Sequence, residues 1–138
     1  MPMLVMPPKR AMLVVDDDRA ILRVFKRILE RKGYAVVTAE TGKEAVAQLQ
    51  NCSYAAALVD LKLPDMEGTD LLPHMQQVAP NMMKIVITGM PYVESAEHAI
   101  DSGADVFLEK PVKAEVLLDV LEKGLKRRSL SSINPPMN

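Results

Sequence analysis

Short apolar runs alternate with longer amphipathic stretches along most of the chain. Residues 12–15, 35–39, 55–59, 85–87 and 106–108 are dominated by apolar side chains and too brief for helices, which predicts five buried strands. Between them apolar residues recur three and four positions apart. The first set is Ile21, Phe25, Ile28 and Leu29, followed by Ala45, Val46 and Leu49, then Leu71, Met75 and Val78. Val93, Ala96 and Ile100 make a fourth set, and Val116, Leu117, Val120 and Leu121 a fifth, predicting five helices. Glycine marks two helix ends: Gly33 after the basic turn "ERKG", and Gly103 after "HAIDSG". Pro73 fits a helix whose N-cap is Asp70, because a first-turn residue has no intrahelical N–H bond to lose.

Strand and helix alternating five times predicts an α/β fold: a single doubly wound, five-stranded parallel sheet with right-handed crossovers and helices on both faces. The 138 residues suffice for one domain with a sizeable core. Residues 1–10 are expected to be a lead-in, 11–127 the folded domain, and 128–138, which lack periodicity, a C-terminal tail or the start of a linker. The opening hydrophobic run is too short for a signal peptide or membrane span and is broken by Pro7 and Pro8. Cys52 stands alone, which excludes an internal disulfide and fits a reducing compartment, with the cytoplasm as the expected location. Seventeen basic residues against 18 acidic ones leave no bulk charge for a polyanion. The one basic cluster evident in the linear sequence is Lys126, Arg127 and Arg128, so no direct nucleic-acid contact is expected.

In an open parallel sheet, functional groups gather beyond the carboxyl ends of the strands. Asp16, Asp17 and Asp18 follow the first predicted strand, Asp60 the third, Thr88 and Gly89 close the fourth, and Lys110 and Pro111 follow the fifth. Clustered carboxylates repel one another, and oxygen ligands of this kind suit a hard divalent cation that keeps some of its waters, above all Mg2+. An ammonium and a hydroxyl beside such a cluster make a place for a phosphoryl group, and a carboxylate there can act as nucleophile and form an aspartyl phosphate. Asp18 is expected to cap the first helix and is left out of the site. His74 and His98 read as isolated surface residues, and the ten methionines as packing material.

The segments "LVVDDD", "LVDLKLPDMEG", "VITG" and "FLEKP" occur in the order and spacing of response-regulator receiver domains of two-component signalling, and residues from about 12 to 125 resemble that family. The resemblance implies a flavodoxin-like sheet of order 2-1-3-4-5. It implies that Asp60 is phosphorylated, that Asp16 and Asp17 hold Mg2+ with Asp60 and the backbone carbonyl of Lys62, and that Lys110 pairs with the phosphoryl group. Thr88 corresponds to the switch hydroxyl, Gly89 to a small neighbour that leaves room, and Phe107 to an aromatic ring that turns when Thr88 moves. Pro111 implies a cis Lys110–Pro111 bond, and Gly68 in "PDMEG" is expected to be left-handed. Lys62 and Met90 occupy positions thought to tune phosphoryl lifetime, with Met90 shielding the group.

On that resemblance the chain is a phosphoacceptor rather than a dedicated enzyme, with autophosphatase activity as a side reaction. Its expected partners are a histidine kinase or phosphotransfer protein on one side, and an output domain, partner protein or second copy on the other. The second set would meet the face of helix four, strand five and helix five, roughly residues 92–102 and 107–123. Two other readings compete. A haloacid-dehalogenase-like phosphatase would use Asp16 and Asp18, but its pattern wants Thr or Val where this chain has Ala20. A receiver-like docking module would bind without being phosphorylated. A nucleotide-binding domain is disfavoured because no Gly-rich loop follows the first strand.

Overall fold

The computed structural model describes residues 10–89 and 93–133. Among these, five strands alternate with five helices: β1 Ala11–Val15, α1 Arg19–Arg31, β2 Ala35–Ala39, α2 Gly42–Asn51, β3 Ala56–Val59, α3 Gly68–Val78, β4 Met83–Thr88, α4 Val93–Asp101, β5 Val106–Glu109 and α5 Ala114–Ile133. All four pairings are parallel and the strand order is β2-β1-β3-β4-β5, a flavodoxin-like doubly wound sheet.

The apolar strand runs are continuous because both faces are covered. Leu13, Val15, Ala57, Val59 and Val86 pack on one side with Leu71, Leu72 and Met75 of α3 and Ala99 of α4. Met12, Val14, Leu58, Ile85 and Ile87 pack on the other with Leu22, Phe25 and Leu29 of α1 and Leu117 and Leu121 of α5. Asp18 caps α1, its Oδ1 accepting from the N–H groups of Ala20 at 2.9 Å and Ile21 at 3.4 Å. Gly33 and Gly103 have φ of +93° and +117°, the left-handed conformation that a helix exit favours and that glycine adopts without a Cβ clash.

Several expectations need correction. Helix α3 begins at Gly68 with Glu67 as N-cap, not at Asp70, because the Gly68 N–H is taken by the Leu61 carbonyl at 2.7 Å, locking the turn earlier. Pro73 therefore lies in the second turn, where it removes one intrahelical bond. Gly68 is not left-handed. It is required for close approach, since a Cβ there would overlap the Asp60 carbonyl oxygen and come within 2.9 Å of Leu61 Cα. Helix α5 continues through residues expected to lack regular structure, as far as Ile133. Val78, Ile100 and Val116, which lie on the periodic apolar stripes of their helices, are exposed, and Ala99 of α4 is buried.

Candidate functional site

The parallel register brings the carboxyl ends of β1, β3, β4 and β5 to one edge. Val15 pairs with Val59, Val59 with Val86, and Thr88 with Glu109. The residues immediately beyond are thereby neighbours: the Asp60 N–H donates to the Val15 carbonyl at 3.0 Å, and the Lys110 N–H to the Thr88 carbonyl at 2.8 Å. Asp16, Asp60 and Thr88 are buried, at 3%, 8% and 1% exposure, and Asp17 is exposed at the mouth.

Carboxylate oxygens of Asp16, Asp17 and Asp60 lie within 4.8 Å of one another. Lys110 reaches into this cluster, its Nζ donating to Asp16 Oδ2 at 2.7 Å and to Asp60 Oδ2 at 3.0 Å. Burial drives the Asp60 carboxyl above the ordinary aspartate value, the nearby Asp16 charge adding to it, while the Lys110 ammonium and the Lys62 N–H pull the other way without prevailing. Burial by itself would lower Lys110. Hydrogen bonds to Asp16 and Asp60 and their negative charges together outweigh it and hold the ammonium above its usual value. A proton is thus unusually easy to place on Asp60 and unusually hard to remove from Lys110.

The β3–α3 loop folds back beside Asp60. The Lys62 N–H donates to Asp60 Oδ1 at 3.2 Å, and Lys62 forms an antiparallel bridge with Glu67. The Lys110–Pro111 peptide is cis. Phe107 is half-buried and packs against the core on the α2–α3–α4 side. A Cβ at Gly89 would meet nothing within 4 Å among the described residues. Met90 and Tyr92 lie outside the described residues.

Residues 12–122 match the family model of the response regulator receiver domain. The chain belongs to that family. Among curated relatives, this receiver is 37% identical over 120 residues to the alginate biosynthesis transcriptional regulatory protein AlgB of Pseudomonas putida, covering 87% of this chain but 27% of AlgB. The chain thus spans about a quarter of the length of that relative. Among solved structures, it aligns with a CheY-like receiver domain protein from Methanospirillum hungatei JF-1 at a TM-score of 0.87 and 40% identity, covering 90% of this chain and 99% of the other. A response regulator from Burkholderia pseudomallei, solved with a phosphorylated aspartic acid, a calcium ion and citrate, aligns at a TM-score of 0.79 and 28% identity, covering 94% and 76% of the two chains. Receiver domains of this family are phosphoacceptors of two-component signal transduction. The acidic pocket suits a divalent metal: three carboxylates converge, two are buried, and an ammonium supplies the counter-charge.

Sequence reasoning missed one feature of the charge distribution. Arg23, Lys26, Arg27 and Arg31 are all exposed on α1, and Arg23, Arg27, Arg31 and Lys32 line a groove of ≈ 650 Å³ against α5. Their three- and four-residue spacing carried that signal, whereas a search for contiguous basic residues passes over it. Of the contiguous run, Arg128 is tied into the fold, donating to Asp105 at 2.9 Å and to the Asn81 carbonyl at 3.2 Å.

Proposed function

We propose that this receiver takes a phosphoryl group onto Asp60 from the phosphohistidine of a histidine kinase or phosphotransfer protein. The observation that carries this reading is the setting of Asp60: a buried carboxylate at a strand end, with Oδ2 held by Lys110 and Oδ1 by the Lys62 N–H. An Asp60 oxygen attacks phosphorus, the new O–P bond forms as the donor's P–N bond breaks, and the electron pair leaves with the imidazole nitrogen. Asp16, Asp17, Asp60 and the Lys62 carbonyl would hold Mg2+, which when bound supplies positive charge that neutralises the transferring group. Lys110 then pairs with a phosphoryl oxygen and the Thr88 hydroxyl hydrogen-bonds another. Hydrolysis back to the free aspartate is a slow self-reaction, for which Lys62 and Met90 are the candidate tuning positions.

The output follows from where β4 and β5 lead. Thr88 is paired with Glu109, and Phe107 with Val86, so movement at Thr88 reaches the β5 edge within one register step. Ile100 on α4 and Val116 on α5 are 49% and 43% exposed on either side of that strand. This α4–β5–α5 face is the proposed contact for an output domain, a partner protein or a second copy, shifted by phosphorylation through a pre-existing equilibrium of a few kcal/mol. A mostly apolar groove of ≈ 470 Å³ beside Lys110, lined by Ala20, Ile21, Val24, Phe25, Pro111 and Val112, offers the donor a landing place next to Asp60. No helix among the described residues is long and apolar enough to cross a membrane, and the proposed setting is the cytoplasm without direct nucleic-acid contact.

Phosphorylation with Mg2+ and a small acyl phosphate tests the acceptor. One alkali-labile phosphoryl group per chain is expected, lost in Asp60→Asn and formed more slowly, still on Asp60, in Asp16→Asn. Label mapped to Asp16 would favour the phosphatase-like chemistry, and no label from any donor would favour the docking module.

A further inference from the structure

An α-helix leaves its first N–H groups without intrahelical partners. At the start of α2, Thr41 Oγ1 accepts from the Glu44 N–H at 3.0 Å, while Glu44 Oε2 accepts from the Glu40 N–H at 2.8 Å, a close variant of the reciprocal Thr-x-x-Glu cap. That leaves the N–H groups of Gly42 and Lys43. Both donate to Asp65, one to each carboxylate oxygen, at 2.9 Å. Asp65 is exposed, and these two backbone donors hold its carboxyl below the ordinary aspartate value. The cap of α2 is completed by a residue of the β3–α3 loop.

Asp65 sits at the tip of that loop, opposite the limb bearing Lys62. The limbs are tied by the Lys62–Glu67 bridge, by the Leu63 N–H to the Met66 carbonyl at 3.2 Å, and by the Lys62–Glu67 ion pair at 3.2 Å. Met66 reinforces the attachment, for its side chain lies so close over Gly42 that a Cβ there would overlap the thioether. A small, internally bonded loop pinned at its tip transmits that restraint to its other limb. The Lys62 N–H on Asp60 Oδ1 shows where the restraint arrives.

We propose that Asp65 is a positioning residue for the divalent cation: by fastening the loop tip to the α2 N-terminus, it fixes Lys62 against Asp60 in the arrangement that completes the metal's oxygen ligands. The inference rests on the cation reading given above. Partners that orient the direct ligands of a metal typically govern its affinity by roughly 10–100-fold, and an exposed anchor one loop away belongs at or below the lower edge of that range.

Titration calorimetry with MgCl2 on the whole chain tests it, alongside amide hydrogen exchange and thermal unfolding in chelator. Asp65→Ala should weaken Mg2+ binding by roughly three- to tenfold and speed exchange at Gly42, Lys43 and Lys62. Asp65→Asn, which keeps one carbonyl acceptor, should recover part of the affinity and carries the test if the alanine variant does not fold. Thr41→Ala weakens the same helix cap without touching the loop, so it should lower thermal stability and leave Mg2+ affinity unchanged. Equal affinity in wild type and both Asp65 variants overturns the proposal while leaving the cation site standing. So does a loss in Thr41→Ala matching that in Asp65→Ala, which would make the effect one of helix stability. A wild-type chain that binds no Mg2+ overturns the cation reading and this proposal with it.

Discussion

The Lys110 ammonium lies 3.0 Å from the Asp60 carboxylate and, with the same nitrogen, 2.7 Å from Asp16, so one side chain just beyond the sheet's edge strand spans two buried acids just beyond β1 and β3. In the absence of a metal this lysine balances charges that would otherwise repel at close range.

Lys110→Ala should therefore cost most when no metal is present. Removing one partner of a largely buried ion cluster leaves uncompensated charge, and a loss of about 2 kcal/mol in chelator is expected, below the 3–5 kcal/mol of a fully buried pair because Lys110 keeps some solvent contact. Saturating Mg2+ should restore more stability to the variant than it adds to wild type, since a ligand that binds only the folded state stabilises it by mass action. Urea unfolding with and without Mg2+ measures both. In the phosphorylated form the variant should leave the α4–β5–α5 face unresponsive, seen as an absence of shifts in its amide resonances.

Asp60→Asn should make the metal-free protein more stable at neutral pH. The folded-state pKa of Asp60 is raised, so the folded chain holds this proton more tightly than the unfolded chain. The resulting stability is fully present below the ordinary aspartate value and lost as pH rises through the raised value. At pH 7 the ionised carboxylate is a burden that the amide does not share, while Oδ1 of asparagine still accepts a hydrogen bond. A gain in stability at pH 7 that shrinks as the pH is lowered towards the ordinary aspartate range is expected from urea titrations in chelator. An equal difference at both pH values would remove Asp60 ionisation as its source.

Lys84 lies on β4 well away from the acidic pocket, 2% exposed, with Nζ donating to the Met82 carbonyl at 2.8 Å and standing 3.8 Å from Asp105. Burial lowers its pKa, only partly offset by Asp105. Lys84→Met, of similar length and without a charge to desolvate, should be neutral or stabilising by about 1 kcal/mol. Asp105→Ala should instead destabilise by about 2–3 kcal/mol, because it strips a counter-ion from buried Lys84, an acceptor from the Lys84 N–H at 2.8 Å and the anchor of Arg128. In the double variant Asp105→Ala with Lys84→Met, much of that loss should disappear. Denaturant midpoints of the four proteins measure the cycle.

The strands were legible because each is a short, mostly apolar run, and the acidic cluster because parallel strands deliver their ends to one edge whatever lies between them. Asp18 at the α1 cap and the glycines at 33 and 103 followed from local chemistry alone. The start of α3 did not, because it is set by the Leu61 carbonyl, a partner visible only once the loop is folded. Gly68 looked like a turn residue, yet its necessity comes from the Asp60 backbone passing beneath it. Asp65 was read only as part of a turn, and its two partners lie 23 and 22 residues earlier on another helix. Ile100 and Val116 fit a core periodicity and still face outward, since periodicity gives a face without saying how far the neighbouring layer extends.

The long reach of Lys110 also bears on how the chain comes into being. Asp16 and Lys110 are separated by 94 positions and Asp60 and Lys110 by 50, so the acidic pocket gains its counter-charge only after the last strand has emerged and docked at the sheet edge. Contacts this distant along the chain are late and slow to close. During synthesis a ribosome-bound chain exposes Asp60 long before it carries Lys110, so its acids meet without their ammonium until β5 has docked. The charge balance of the pocket, and any response that depends on Lys110, is in this way tied to having finished the fold.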